Sequence, residues 1–241
     1  MTEKELQEKY GDELVLCVGT RHFEDKNTPE ERLAHYSRII ELYGEYMLRY
    51  LAENDENMKQ IIPYVVLKSG DKYMFTKRLA GDPRLTGKYT IGMGGHINYG
   101  DLETVKKNDG YQYINPSETI HKCIMRELAE ETTVEESDNI QKLMLSLIDS
   151  FIDLSEPVSR VHACILYVCE VPDTDVGIRE VEKLEAKWLS LEEVTDEIYN
   201  SLEGWSKIAY NILFGERKPA KKKAARKTRA KKEVENETID Q

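Results

Sequence analysis

The sequence predicts an α/β fold, a mixed β-sheet with helices on both faces, and three observations carry that prediction. Two helices announce their starts with capping residues, at Thr28 and Asn115. Short apolar strands precede, separate and follow them, in an arrangement that suits a sandwich better than a parallel doubly wound sheet. Hydrophobic residues make up 40% of the 241, enough for a sizeable core.

Taken in order, residues 13–18 (ELVLCV) read as a short strand. Thr28 as N-cap, Pro29 at the first helical position and Glu31 as the closing acid of a capping box then open a helix. Its apolar positions Leu33, Tyr36, Ile40, Tyr43, Met47, Tyr50 and Leu51 recur at spacings of three and four, which carries the helix to about Ala52. A β-rich stretch follows. Ile61 to Leu67 and Lys72 to Lys77 form a hairpin around Ser69-Gly70-Asp71, and Tyr89 to Met93 is a shorter strand running into Gly94-Gly95. Residues 99–116 are polar and read as an inserted loop. The second helix opens at Asn115-Pro116-Ser117-Glu118 and runs to about Thr133. Strands at 143–152, 160–171 and 187–189 come next, and Ser190 to Glu193 opens terminal helices ending near Gly215. The division is an N-terminal strand-and-helix extension over 1–57 packed on the core, a main domain over 58–215 and a tail over 216–241.

Charge sharpens this division. Residues 217–232 hold ten lysines or arginines and no acid, whereas residues 1–216 carry 24 basic and 41 acidic side chains. The tail has no apolar periodicity and is expected to be disordered. Its positive charge makes it a candidate for non-specific nucleic-acid binding through counterion release; a solubilising or self-associating arm that folds back on the acidic body is the competing role, and a homodimer is a further candidate assembly. Cys17, Cys123, Cys164 and Cys169 lack paired spacing and three lie in apolar stretches, so buried free thiols are expected rather than disulfides or zinc ligands. With no apolar leader and no run near ~20 apolar residues, a cytoplasmic protein without a membrane partner is expected.

The second helix carries the chemistry. At about 100° per residue, Ile120, Ile124 and Leu128 define an apolar stripe. Glu127 follows Ile120 by seven residues and Glu131 follows Ile124 by seven, so each falls within about 20° of an isoleucine. Two carboxylates thus occupy a face that had been burying aliphatic side chains, with Glu130 one turn from Glu127. Clustered acids repel one another and lose hydration unless a cation neutralises them, and a hard divalent ion with oxygen ligands suits the task. An ordinary solvated acidic face is the competing reading.

Glu118, seven intervening residues, Arg126-Glu127-Leu128, one residue, Glu130-Glu131 and then Val134 resemble the box of the Nudix hydrolase superfamily. Residues 59–67 followed by Thr90-Ile91-Gly92-Met93-Gly94-Gly95-His96 are similar to its predicted MutT-like phosphoesterase branch. The resemblance implies an α/β/α sandwich and Mg²⁺-dependent hydrolysis of a phosphoanhydride, with Mn²⁺ as an alternative ion. Its substrate would be a nucleoside diphosphate linked to another moiety, or a nucleoside triphosphate. It implies Glu127, Glu131, Glu130 and the Gly95 carbonyl as metal ligands, Glu127 and Glu130 in catalysis, and Arg126 orienting carboxylates. Glu118 is either a supporting acid or merely a helix cap. A later glutamate (Glu180, Glu182 or Glu185) is a candidate general base. Arg78, Arg84 and Lys88, with the backbone at Gly94, are candidates for phosphate contact, and Tyr111 and Tyr113 for base stacking. His22, His96 and His162 are read as packed or surface histidines.

Two positions depart from the box. Gln112 stands where its first glycine belongs, which an insertion of about 18 residues explains, and Thr133 replaces the glycine that would cap the helix. A catalytically silent nucleotide sensor and a nucleic-acid-associated protein acting through its tail are the alternative functions.

Overall fold

The computed structural model describes residues 2–80, 86–134, 143–157 and 159–217. Arg84 and the basic run beyond Arg217 therefore lie outside the described residues. Helix α1 (Glu3–Tyr10) was not foreseen. It is short, but Thr2 and Glu5 close a capping box at its start. Strand β1 (Leu14–Gly19) follows, then α2 (Pro29–Tyr43), with the Thr28–Glu31 capping box in place.

Helix α2 ends nine residues before the expected Ala52. Gly44 donates the last helical bond to the Ile40 carbonyl, 3.0 Å away. A Cβ on Gly44 would press on that same oxygen at 2.5 Å and on the Ile114 side chain at 2.9 Å, so the chain leaves the helix through a backbone packed too closely for a side chain. The residues beyond form β2 (Glu45–Leu48), antiparallel to β1 with Leu14 opposite Leu48, and a single helical turn, α3 (Arg49–Ala52). Apolar residues at near-helical spacing were recruited by an exposed sheet edge, where backbone pairing outweighs periodicity.

The organising strand is β3 (Met58–Ser69). It runs parallel to β10 (His162–Glu170) along nine register positions and antiparallel to β1, β6 (Met93–Gly94) and β4 (Lys72–Arg78) in turn on its other side. Strands β5 (Tyr89–Thr90) and β11 (Leu184–Ser190) pair with β4, and β9 (Met144–Phe151) pairs with β10. The expected strand at 89–93 is thus split in two, each half on a different partner. Nine strands make one mixed sheet among the described residues.

Its two faces bury separate cores. Ile61, Val65 and Leu67 pack under α2 and α4 (Pro116–Glu131), against Ile40, Ile120, Ile124 and Leu128. Tyr64, Val66, Cys164 and Leu166 pack under α5 (Asp196–Asn200) and α6 (Gly204–Phe214), against Tyr199 and Tyr210. This is the α/β/α layering expected, although α5 opens at its Thr195 cap and not at Ser190, which still belongs to β11. Residues 99–116 are not a plain loop: β7 (Thr104–Lys106) and β8 (Gln112–Ile114) form a separate hairpin. All four cysteines are free and buried, and no described helix is long and apolar enough to cross a membrane.

Candidate active site

Helix α4 places the carboxylates. Asn115 caps its start by accepting from the Glu118 N–H, and Pro116 takes the first position. The Glu118 side chain does not complete the box, because the Asn115 N–H is committed to the Glu103 carbonyl at 2.8 Å. Glu118 is exposed and is not a lining residue of the central cavity. Ile120, Ile124 and Leu128 are buried as the stripe required, whereas of the acids one heptad on Glu127 is half-buried and Glu131 is exposed at the helix end.

Glu127 is held from two sides. The Arg126 guanidinium donates to its Oε1 at 2.6 Å, and the carboxylate lies against the backbone of Gly95. A Cβ on Gly95 would fall on that carboxylate, far inside the 3.0 Å that real Cβ atoms keep. Gly95 is therefore fixed by the close approach of a carboxylate. Arg126 itself is anchored by Asp101, to which Nε and Nη2 donate at 3.1 and 2.8 Å, and by the His96 carbonyl at 2.9 Å. Asp101 is buried and also accepts from the Asn98 N–H. Sequence reasoning missed Asp101 because it stands in the polar stretch taken as loop. Arg126 reaches Glu130 only at 3.4 Å, and Glu130 is largely exposed.

A cavity of about 700 Å³ opens beside the helix, lined by Glu130, Glu131, Gly94, Arg78 and Lys88 among others. Glu131 reaches this cavity. Loss of hydration first, and then the charges of Glu127, Glu180 and Glu130, push its carboxyl up to about 7. Glu127 is pushed up as well, mainly by burial and against the pull of Arg126. Carboxyls raised by burial first and by neighbouring acids second are a setting that a divalent cation would relieve. Arg78 is not a free cation: its Nε donates to Glu203 at 3.4 Å. Tyr111 and Tyr113 sit on the β7–β8 hairpin, away from the cavity lining.

The helix ends without its glycine by a different device. Thr132 is extended (φ −125°, ψ 170°), and its hydroxyl donates back to the Leu128 carbonyl at 2.6 Å. Thr133 then exchanges two bonds with Gly177: its N–H donates to the Gly177 carbonyl, and its hydroxyl accepts from the Gly177 N–H at 2.8 Å. Arg179 donates its N–H to the Glu131 carbonyl and its Nε to that of Ala129. The segment 177–179 is thereby stitched to the end of α4. It delivers Glu180 to the cavity wall; Glu182 and Glu185 do not line it.

Two histidines read as isolated meet here. His96, directly after Gly95, and His162, first residue of β10, bring their Nε2 atoms to 3.3 Å, and both line the cavity. Burial first, then the positive charge of Arg49, pushes His96 down to about 2, so it is neutral. His22 instead stacks on Tyr43. Nothing local in the sequence signals a meeting of residues so far apart in the chain.

A family model described as the NUDIX domain matches residues 113–208. Protein YmaB of Bacillus subtilis (strain 168) is 33% identical over 195 residues, 79% of this chain and 88% of that protein. The crystal structure of Tm1382, a candidate Nudix hydrolase, superposes with a TM-score of 0.59 at 28% identity, covering 83% of this chain and 97% of that one. The chain belongs to the Nudix family and is a Nudix-type hydrolase.

Proposed function

We propose that the chain hydrolyses a phosphoanhydride bond in a nucleoside diphosphate linked to another moiety, or in a nucleoside triphosphate, using Mg²⁺ held by Glu127, Glu131 and Glu130 with the Gly95 carbonyl. The observation that carries this reading is the placement of Glu130, Glu131 and Glu180 on the wall of one cavity with Arg78 and Lys88, and of Glu127 one turn back on the same helix. When bound, the ion supplies the positive charge that neutralises these acids and the charge developing on phosphate oxygens; Mn²⁺ can serve in its place.

Arg126 acts on the carboxylates and not on the substrate: it fixes Glu127, while Asp101 fixes Arg126. Glu180 is the best-placed acceptor for the proton of the attacking water, because it lines the cavity and faces Glu131. Arg78, Lys88 and the backbone at Gly94 receive the phosphates, and the Trp205 ring at the cavity wall offers an apolar surface to the group beyond them. The basic tail adds non-specific phosphate affinity, and a homodimer is compatible with this arrangement.

The test is a nucleotide panel in Mg²⁺ with products identified by mass spectrometry, which also reveals the phosphorus attacked. Glu127→Gln and Glu131→Gln should each reduce turnover by at least about 100-fold while the chain stays folded. Full activity in both would refute the metal assignment.

A further inference from the structure

A second cluster of metal-ligating side chains includes the residue directly after Gly95 and none of the carboxylates of α4. His96 follows Gly95, His162 opens β10, and Glu53 follows the last residue of α3. One ligand atom from each lies within 4.8 Å of the other two. The two Nε2 atoms are 3.3 Å apart, long for an N–H hydrogen bond, whose usual range ends near ~3.2 Å. A tetrahedral ion bound at about 2.0–2.1 Å by two imidazoles sets its nitrogens about 3.3–3.4 Å apart, which is the separation found.

We propose that His96, His162 and Glu53 bind one divalent transition-metal ion, of the zinc type, separate from the hard-ion site on α4. Imidazole donors select such ions over Mg²⁺. Three protein ligands leave a fourth position, and both histidines face the cavity, so that position opens toward it. The positive charge of the neighbouring Arg49 is answered in part by carboxylates. Its guanidinium donates to Glu53 at 3.3 Å and to Glu13 at 3.1 and 3.2 Å, so two carboxylates answer one cation, and the first of these bonds orients Glu53. Gln60, whose register partner on β10 is His162, is fully buried, with both amide atoms lacking a hydrogen-bond partner.

The experiment titrates the chelator-treated full chain with Co²⁺ and with Zn²⁺ in excess Mg²⁺, reading visible absorption and calorimetry. The expected result is one equivalent bound, with the intense bands of tetrahedral Co²⁺. His96→Gln, His162→Gln and Glu53→Gln should each weaken binding by more than the roughly 10- to 100-fold typical of an outer-shell partner. Glu127→Gln/Glu131→Gln should leave it intact, which separates this site from the hydrolytic one. Zinc-edge X-ray absorption of the unaltered chain should read two imidazoles at about 2.0–2.1 Å, and does not depend on any variant folding. Absence of saturable uptake, uptake indifferent to both histidines, or a shell of thiolates or oxygens alone would overturn the proposal and leave a long imidazole–imidazole contact.

Discussion

Replacing Gly95 by alanine separates the site from the fold more cleanly than removing a carboxylate. The new methyl would fall on the Glu127 carboxylate, with no backbone atom among its nearest neighbours, so the side chain can yield where a backbone could not. To clear the methyl, the carboxylate must retreat by roughly 1 Å or more, and a misplacement of that size costs on the order of 100-fold in rate. The retreat also weakens the 2.6 Å bond from Arg126, a charge-assisted contact worth about 1.5–3 kcal/mol net. Arg126 keeps Asp101 and the His96 carbonyl, so the loss in stability should lie at the low end, about 1–2 kcal/mol, or a few degrees in Tm. Phosphoanhydride hydrolysis in Mg²⁺ and thermal melting, run side by side, give both numbers. Turnover within threefold of the unaltered chain would show that the Glu127–Gly95 contact has no part in catalysis. Complete unfolding would show that the loop, and not the carboxylate, takes the strain.

Arg126→Ala should cost more stability than any other single change in the site, about 3 kcal/mol by chemical denaturation, because it leaves Asp101 buried without its partner; a loss below 1 kcal/mol would refute the clamp. Arg126→Lys should keep the charge, lose the two-pronged grip on Asp101 and fall roughly 10- to 100-fold in activity. Glu131, pushed up to about 7, and Glu127, also raised, bind protons in the folded chain that the unfolded chain releases near 4.5. Their stabilisation is complete below pH 4.5 and is lost as pH rises through about 7. In the absence of divalent ions Tm should decline across that window, and Glu131→Gln should flatten the decline; an equal slope in the variant would contradict the assignment. Thr133→Gly should lower stability by about 1–2 kcal/mol and reduce kcat, since it frees the Gly177 N–H. An unchanged enzyme would show that Glu180 needs no such tether.

What was legible in the sequence was whatever short-range chemistry decides. The capping box at Thr28 and the Asn115 cap are built from residues three apart, and both helices begin where those residues stand. The heptad offsets from Ile120 to Glu127 and from Ile124 to Glu131 are likewise local, so the placement of two acids beside the buried stripe could be worked out from a helical wheel. The premature end of α2 could not. Tyr43, Met47 and Tyr50 keep helical spacing through Gly44, and only the packing of Ile114 against that glycine and the free edge of β1 turn the chain into a strand. Asp101 and the two cavity histidines were hidden for a related reason, since each acquires its meaning from a partner on another element.

The Thr133 departure shows how a substitution that looks like a defect can be absorbed. A glycine there would end the helix by turning the backbone left-handed and would satisfy the last carbonyls locally. Threonine instead lets the chain run on extended, and the carbonyls of Ala129 and Glu131 are then satisfied by Arg179, from a segment far along the chain. The same bonds that replace the cap fix the segment that carries Glu180. Helix termination and the placement of a candidate base are therefore one structural event in this chain. For that reason Arg179→Ala, which removes the side-chain bond to the Ala129 carbonyl and leaves every box carboxylate in place, should lower kcat more than KM; a pure KM effect would place Glu180 with the substrate-binding groups.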